Sequence, residues 1–173
     1  TPVDVTKGRA KVVTDAIRIL KAETKNIPIV GNLTGPVSTA SSVMEPVIFY
    51  KELRKRNKEA HEYMEFITDQ LIAFGRAQIE AGADVIAISD PSGTGEILGP
   101  KYFEEFAVTY INRLLDSLQK EKLGTIVHIC GQMSPVYKEI NEVRSSALST
   151  QPSAAASIFW IQFMSFLLKF LYF

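Results

Sequence analysis

Three times in the first 149 residues, an amphipathic stretch of helical length leads into a short apolar run that ends in a polar, glycine-bearing turn. The runs are Ile27 to Gly31 (IPIVG), Asp84 to Ser89 (DVIAIS) and Thr125 to Ile129 (TIVHI), and Ala147 to Ser149 begins a fourth. Near-continuous apolar runs of this length, flanked by helices, read as parallel strands covered on both faces. Strand, helix and strand repeated in this order build βαβ units and a parallel sheet, an α/β fold. Four strands are too few to close an eight-stranded barrel. A doubly wound sheet stays open as an alternative, although no Gly-x-Gly-x-x-Gly follows any run. In either architecture the chemistry sits at the carboxyl ends of the strands.

The connecting segments carry helical periodicity. Ala10, Val13, Ile17 and Leu20 form a stripe over Lys7 to Thr24. Asn32 to Ser42 is turn-rich and ends a strand before opening a short helix, and Glu45 to Arg56 is a second amphipathic piece. The longest helix is expected over Lys58 to Ala81, with Asn57 as N-cap, Met64, Ile67, Leu71 and Phe74 on the buried face, and Gly82 as the stop. Pro100 suits the first turn of another helix that buries Phe103, Phe106, Tyr110, Leu114 and Leu118. Ser134 and Pro135 open a third, with Val136, Ile140 and Val143 inward.

Composition divides the chain in two. Its 173 residues hold 19 basic and 19 acidic side chains, and every acidic one lies at or before Glu142. Beyond Arg144 the only charge is Lys169, and Ala154 to Phe173 holds five of the ten phenylalanines and the one tryptophan. Residues 1–149 read as a globular domain and 150–173 as a hydrophobic tail. About twenty apolar residues would cross a bilayer, so the tail is a membrane anchor, a buried helix, or a sequence foreign to the domain. Thr1 to Ala10 is polar, and no secretory h-region follows. A single cysteine excludes an intrachain disulfide and favours a reducing, cytoplasmic compartment. Zero net charge gives no reason to expect nucleic acid.

The expected strand ends are polar: Asn32 and Thr34 follow the first, Asp90 to Glu96 the second, and His128, Cys130 and Gly131 close the third. In an extended strand His128 and Cys130 point to the same side about 7 Å apart, so both can reach one metal ion. Imidazole and thiolate suit zinc, while the plainer alternative is a core cysteine beside a hydrogen-bonded histidine. Asp90 is a site carboxylate or an N-cap for the turn after it. His61 on the long helix reads as a solvated surface residue. The cluster Lys51, Arg54, Lys55, Arg56 and Lys58 reads as a solvated helix end.

GNLTGP (Gly31 to Pro36), AGADVIAISDPSGTGEILGPKYFEEF (Ala81 to Phe106) and HICGQMSP (His128 to Pro135), in this order, resemble the uroporphyrinogen decarboxylase superfamily, and within it the corrinoid-linked methylcobamide:coenzyme M methyltransferases. The resemblance implies a partial (β/α)8 TIM barrel, about half of the eight-stranded whole, with an aberrant apolar tail. It implies zinc held by His128 and Cys130, with a further cysteine nearer the C-terminus of the family's chains as third ligand. It further implies a methylated corrinoid protein as methyl donor and a small thiol such as coenzyme M as acceptor. Asn32, Thr34 and Asp90 are then candidates for holding the acceptor.

Rival readings are a metal-free tetrapyrrole decarboxylase, which would need arginines at strand ends to hold carboxylates, and a relative of cobalamin-independent methionine synthase. A third is an inactive, membrane-associated or aggregating product dominated by its tail. With one cysteine, the chain is expected to bind zinc weakly and to be catalytically poor.

Overall fold

The apolar runs form the strands of one four-stranded sheet. A computed structural model describes residues 2–118 and 124–151. The strands are β1 (Val30–Thr34), β2 (Val85–Ser89), β3 (Gly124–Cys130) and β4 (Ala147–Gln151), all parallel and hydrogen-bonded in the order β1-β2-β3-β4. A doubly wound sheet would reverse its order at a switch point; this one does not. The helices are α1 (Gly8–Glu23), α2 (Pro36–Val43), α3 (Pro46–Lys55), α4 (Asn57–Glu80), α5 (Gly95–Tyr102), α6 (Thr109–Leu118) and the single turn α7 (Tyr137–Ile140). A π-helical turn, Phe103–Val108, joins α5 to α6, and a 3-10 turn, Ser134–Val136, precedes α7.

Alternation along the strands shows which face is covered. Gly31, Leu33, Ile86, Ile88, Thr125, Val127 and Ile129 are buried, while Asn32, Ala87, Ile126, His128 and Cys130 between them are only partly so. Helix α4 packs on β1, β2 and α6, and its Met64, Ile67 and Leu71 join Phe103, Phe106, Leu114 and Leu118 in one core. The expectation of strands covered on both faces is therefore corrected: among the described residues helices cover one face, and the other is half-open.

Two glycines set how close α4 comes. A Cβ at Gly75 would lie 2.9 Å from a Leu118 methyl and 3.1 Å from Leu33. One at Gly31 would lie 2.7 Å from both Gln78 Oε1 and Ile86 Cδ1. That proximity lets the fully buried Gln78 accept from Asn32 N at 3.0 Å and donate to Asn32 O at 3.0 Å.

The first strand starts three residues later than expected. Pro28 has no N–H to give a ladder, so the run cannot pair from Ile27, which is exposed. Ile29 N instead donates to the Asp84 carboxylate at 2.9 Å, which also takes Lys21 Nζ at 2.5 Å, and pairing begins at Val30 opposite Val85. Asn32 and Thr34 consequently lie within β1. The stripe on α1 is shorter than expected, with Ile17 buried and Leu20 exposed. Asn57 lies inside α4 and donates to Glu105, so it is not the cap. The third expected helix is reduced to the 3-10 turn and α7, with Val136 and Ile140 still buried.

Asp90 ties β2 to the helix that follows β1. Its oxygens accept from Val37 N at 3.1 Å and Ser38 N at 2.7 Å, in the first turn of α2. A carboxylate there satisfies two donors that a helix start leaves unpaired and meets the positive end of the helix dipole. Ser89 O accepts from Gly35 N at 2.7 Å, and Ser38 Oγ accepts from Ser92 N at 2.8 Å. A Cβ at Gly35 would lie 2.4 Å from the Asp90 side chain, so only glycine fits.

Strand β4 continues through Thr150 and Gln151, past the expected break at Ser149; the rest of the apolar tail lies outside the described residues. Among the described helices none is long and apolar enough to cross a membrane.

Replacing Gly31 by Ala should cost about 1–3 kcal/mol, the usual range for an added methyl in a packed core, and lower the urea midpoint. An unchanged midpoint would mean that α4 can back away from β1. Replacing Asp90 by Ala strands two buried N–H groups and should cost on the order of 2–4 kcal/mol. Burial pushes the Asp90 pKa up from its ordinary 3.8. Its proton is thus held more tightly in the folded than in the unfolded chain. Wild type should therefore lose stability relative to Asp90→Asn as pH rises through the ordinary carboxylate range towards the raised value, and hold a constant difference above it. Urea titrations across pH that show no such divergence would contradict a buried ionisable Asp90.

Candidate metal centre at the strand ends

Register builds the site row by row. Thr34, Ser89, His128 and Ser149 are Cα partners across the four strands, so they line one rim on the half-open face. One step back, Asn32 lies opposite Ala87, and Ala87 opposite Ile126; one step forward, Cys130 lies opposite Gln151.

His128 Nδ1 lies 3.0 Å from Ser149 Oγ, a contact that fixes the orientation of the ring. Burial holds its pKa below the usual histidine value, so at neutral pH the imidazole is uncharged, the form that binds metals. Cys130, two residues on, is half-buried on the same side of β3. Burial pushes its thiol pKa up, and the negative charge of Glu96 adds to the rise. Without a neighbouring cation this cysteine is a thiol; a bound divalent ion would reverse that balance. The soft sulfur and neutral nitrogen on one strand face suit zinc. Among the described residues no group of three His, Cys, Asp or Glu side chains is placed to hold a metal.

Glu96 reaches this rim because Gly131 has φ +107°, and a Cβ there would lie 2.9 Å from Glu96 Oε1 and from Thr94 Cγ2. The loop after β2 thus rests directly on the peptide after Cys130.

The expected substrate residues divide. Asn32 and Thr34 share the open face with His128 and Cys130, separated from β3 by β2, about 10 Å at ordinary strand spacing. Gln78 fixes the Asn32 peptide from behind. Asp90 has no exposed surface and puts both oxygens on α2, so in this structure it ties the loops together. It caps a different helix from the turn after it, where a local cap was the alternative. His61 is corrected. Its Nδ1 lies 2.8 Å from Tyr110 Oη and its Nε2 3.2 Å from Glu105, and the ring stacks on Phe106, so it is a half-buried, packed residue rather than a freely solvated one. Ser149 and Glu96 were not singled out. Their only signal was a place near the ends of adjoining strands, and strand register is invisible in the sequence.

Known proteins resemble the chain in sequence and in fold. The chain is 32% identical over 126 residues to the methylcobamide:CoM methyltransferase MtbA of Methanosarcina acetivorans, covering 72% of this chain and 37% of that protein. It is 29% identical to the methylcobamide:CoM methyltransferase MtaA of Methanosarcina barkeri (84% and 42%) and 29% identical to a uroporphyrinogen decarboxylase of Myxococcus xanthus (76% and 39%). The solved structure of a methyltransferase from Methanosarcina mazei superposes with a TM-score of 0.76 at 30% identity, over 83% of this chain and 42% of that one. The described fold is accordingly a partial (β/α)8 barrel, and the chain spans about two-fifths of the length of these relatives. The family profile described as Uroporphyrinogen decarboxylase (URO-D) matches residues 1–159. With that match over most of its length, the chain belongs to the uroporphyrinogen decarboxylase (URO-D) family.

Proposed function

We propose that this chain is the zinc-bearing part of a cytoplasmic methyltransferase that moves a methyl group from a methylated corrinoid protein to a small thiol such as coenzyme M. The observation that carries the reading is the neutral His128, held by Ser149, beside Cys130 on one strand-end face. The names of the relatives MtbA and MtaA support the donor and the acceptor. His128 and Cys130 would hold zinc, with the remaining protein ligand from outside the described residues. When bound, zinc supplies the Lewis acidity that makes a substrate thiol ionise at neutral pH.

The other residues have separate tasks. Ser149 keeps the His128 ring aimed through its contact at Nδ1. Asn32 and Thr34, two strands away on the same face, offer an amide and a hydroxyl to the far end of an acceptor. Asp90 and Gly35 hold the loops after β1 and β2 together, so that these groups keep their spacing. A tetrapyrrole decarboxylase would need cations at the rim, where the described strands carry Thr34, Ser89, His128 and Ser149.

With two of its ligands in the described residues, the isolated chain should take up zinc weakly, lose it to a chelator and transfer methyl groups poorly. Titration with Co(II) should give a thiolate-to-metal absorption band that Cys130→Ser abolishes, and Ser149→Ala should weaken binding about tenfold. Equal binding by a His128→Ala/Cys130→Ser double variant would refute the site. Stoichiometric, chelator-resistant zinc would refute the weakness.

A further inference from the structure

The basic cluster on α3 is more than a solvated helix end. Val47, Tyr50, Lys51, Arg54 and Lys55 of α3, with Ile97 of α5, line an open groove of about 510 Å³. Most cations elsewhere on the described surface have a carboxylate beside them: Lys21 has Asp84, Arg56 has Glu52, Arg113 has Asp69 and Arg144 has Asp116. Among the described residues no carboxylate lies within ion-pair distance of Lys51, Arg54 or Lys55, and Arg54 and Lys101 both sit over the Tyr102 ring, 5.7 and 5.4 Å from its centre. Apolar surface is left open beside this charge, with Val47 73% and Ile97 40% exposed and Val43, at the end of α2, 70% exposed.

The groove's place in the fold gives it meaning. Helix α3 follows β1 and α2 at the carboxyl end of the sheet, the end that carries His128 and Cys130. Tyr50 donates to Ser92 O at 3.1 Å, fastening α3 to the loop after β2, which leads into α5, whose Glu96 lies near Cys130.

We propose that the α3 groove is the docking surface for the protein that carries the methylated corrinoid, engaged through an acidic face bearing apolar side chains. The inference rests on the reading under Proposed function and adds to it the contact surface and its charge. Unneutralised lysine and arginine beside exposed valine and isoleucine match a partner that is negative at its rim and apolar at its centre. A small anion would draw the three cations to one point. Here they share one face of α3 beside the exposed apolar side chains, and Arg54 is turned onto an aromatic ring.

Binding of a purified methylated corrinoid protein from Methanosarcina barkeri to the full chain tests this, measured by calorimetry at low and moderate salt. The Lys51→Glu/Arg54→Glu/Lys55→Glu variant should bind about tenfold or more weakly, with a flatter salt dependence. Val47→Asp should also weaken binding. An Arg9→Glu/Lys25→Glu/Arg76→Glu variant changes the net charge equally at other exposed positions and should bind as wild type does. Unchanged binding by the α3 variants, equal loss in the control, displacement of the partner by millimolar inorganic phosphate, or self-association of the chain through this face would each overturn the proposal. The reading under Proposed function fails separately, if Co(II) binding ignores His128 and Cys130.

Discussion

A carboxylate with no exposed surface is costly to bury, and the architecture of this chain's sheet end depends on one. Asp90 directly follows β2, yet both its oxygens serve the first turn of α2, the helix that leaves β1. That pair of hydrogen bonds joins two successive βα units at the end of the sheet where ligands bind. Gly35 leaves space for the carboxyl group, Ser38 returns a hydroxyl to Ser92 N, and the Ser89 carbonyl closes on Gly35 N. Remove the acid, and the segments that follow Thr34 on one side and precede Glu96 on the other lose their common anchor.

How much of this was legible depended on distance along the chain. DVIAIS and TIVHI are strands because their apolar pattern is local, and Phe103, Phe106, Tyr110, Leu114 and Leu118 are buried because their spacing is helical. The pairing of His128 with Cys130 follows from a spacing of two in an extended segment, so it too was readable. The start of β1 was misplaced because an apolar run was weighed without the missing N–H of Pro28. The bonds of Asp90 to α2 and the packing of His61 were illegible for a different reason. The groups that satisfy Asp90 lie 52 and 53 residues away, and those around His61 lie 44 and 49 away. Side chains of this kind have no local signature; only folding brings their partners to them.

The rim shows how a sheet can distribute one task over several strands. Burial lowers the pKa of His128 and raises that of Cys130, so neither side chain of the pair carries charge at neutral pH. Glu96 adds a negative potential beside them. The loop that leads to Glu96 is fastened to α3 through Tyr50, so the rim and the basic groove share a mechanical link.

Gln78 has a consequence for how the sheet can grow. Its side-chain amide takes the N–H of Asn32 and gives a hydrogen back to the Asn32 carbonyl, as the peptide of an adjoining strand would. On the side of β1 away from β2, that position is already occupied by a borrowed amide from α4. Another strand can lie along this side only above or below Asn32, or by displacing a buried glutamine. A single side chain thus acts as a spacer that makes β1 selective about what it will pair with.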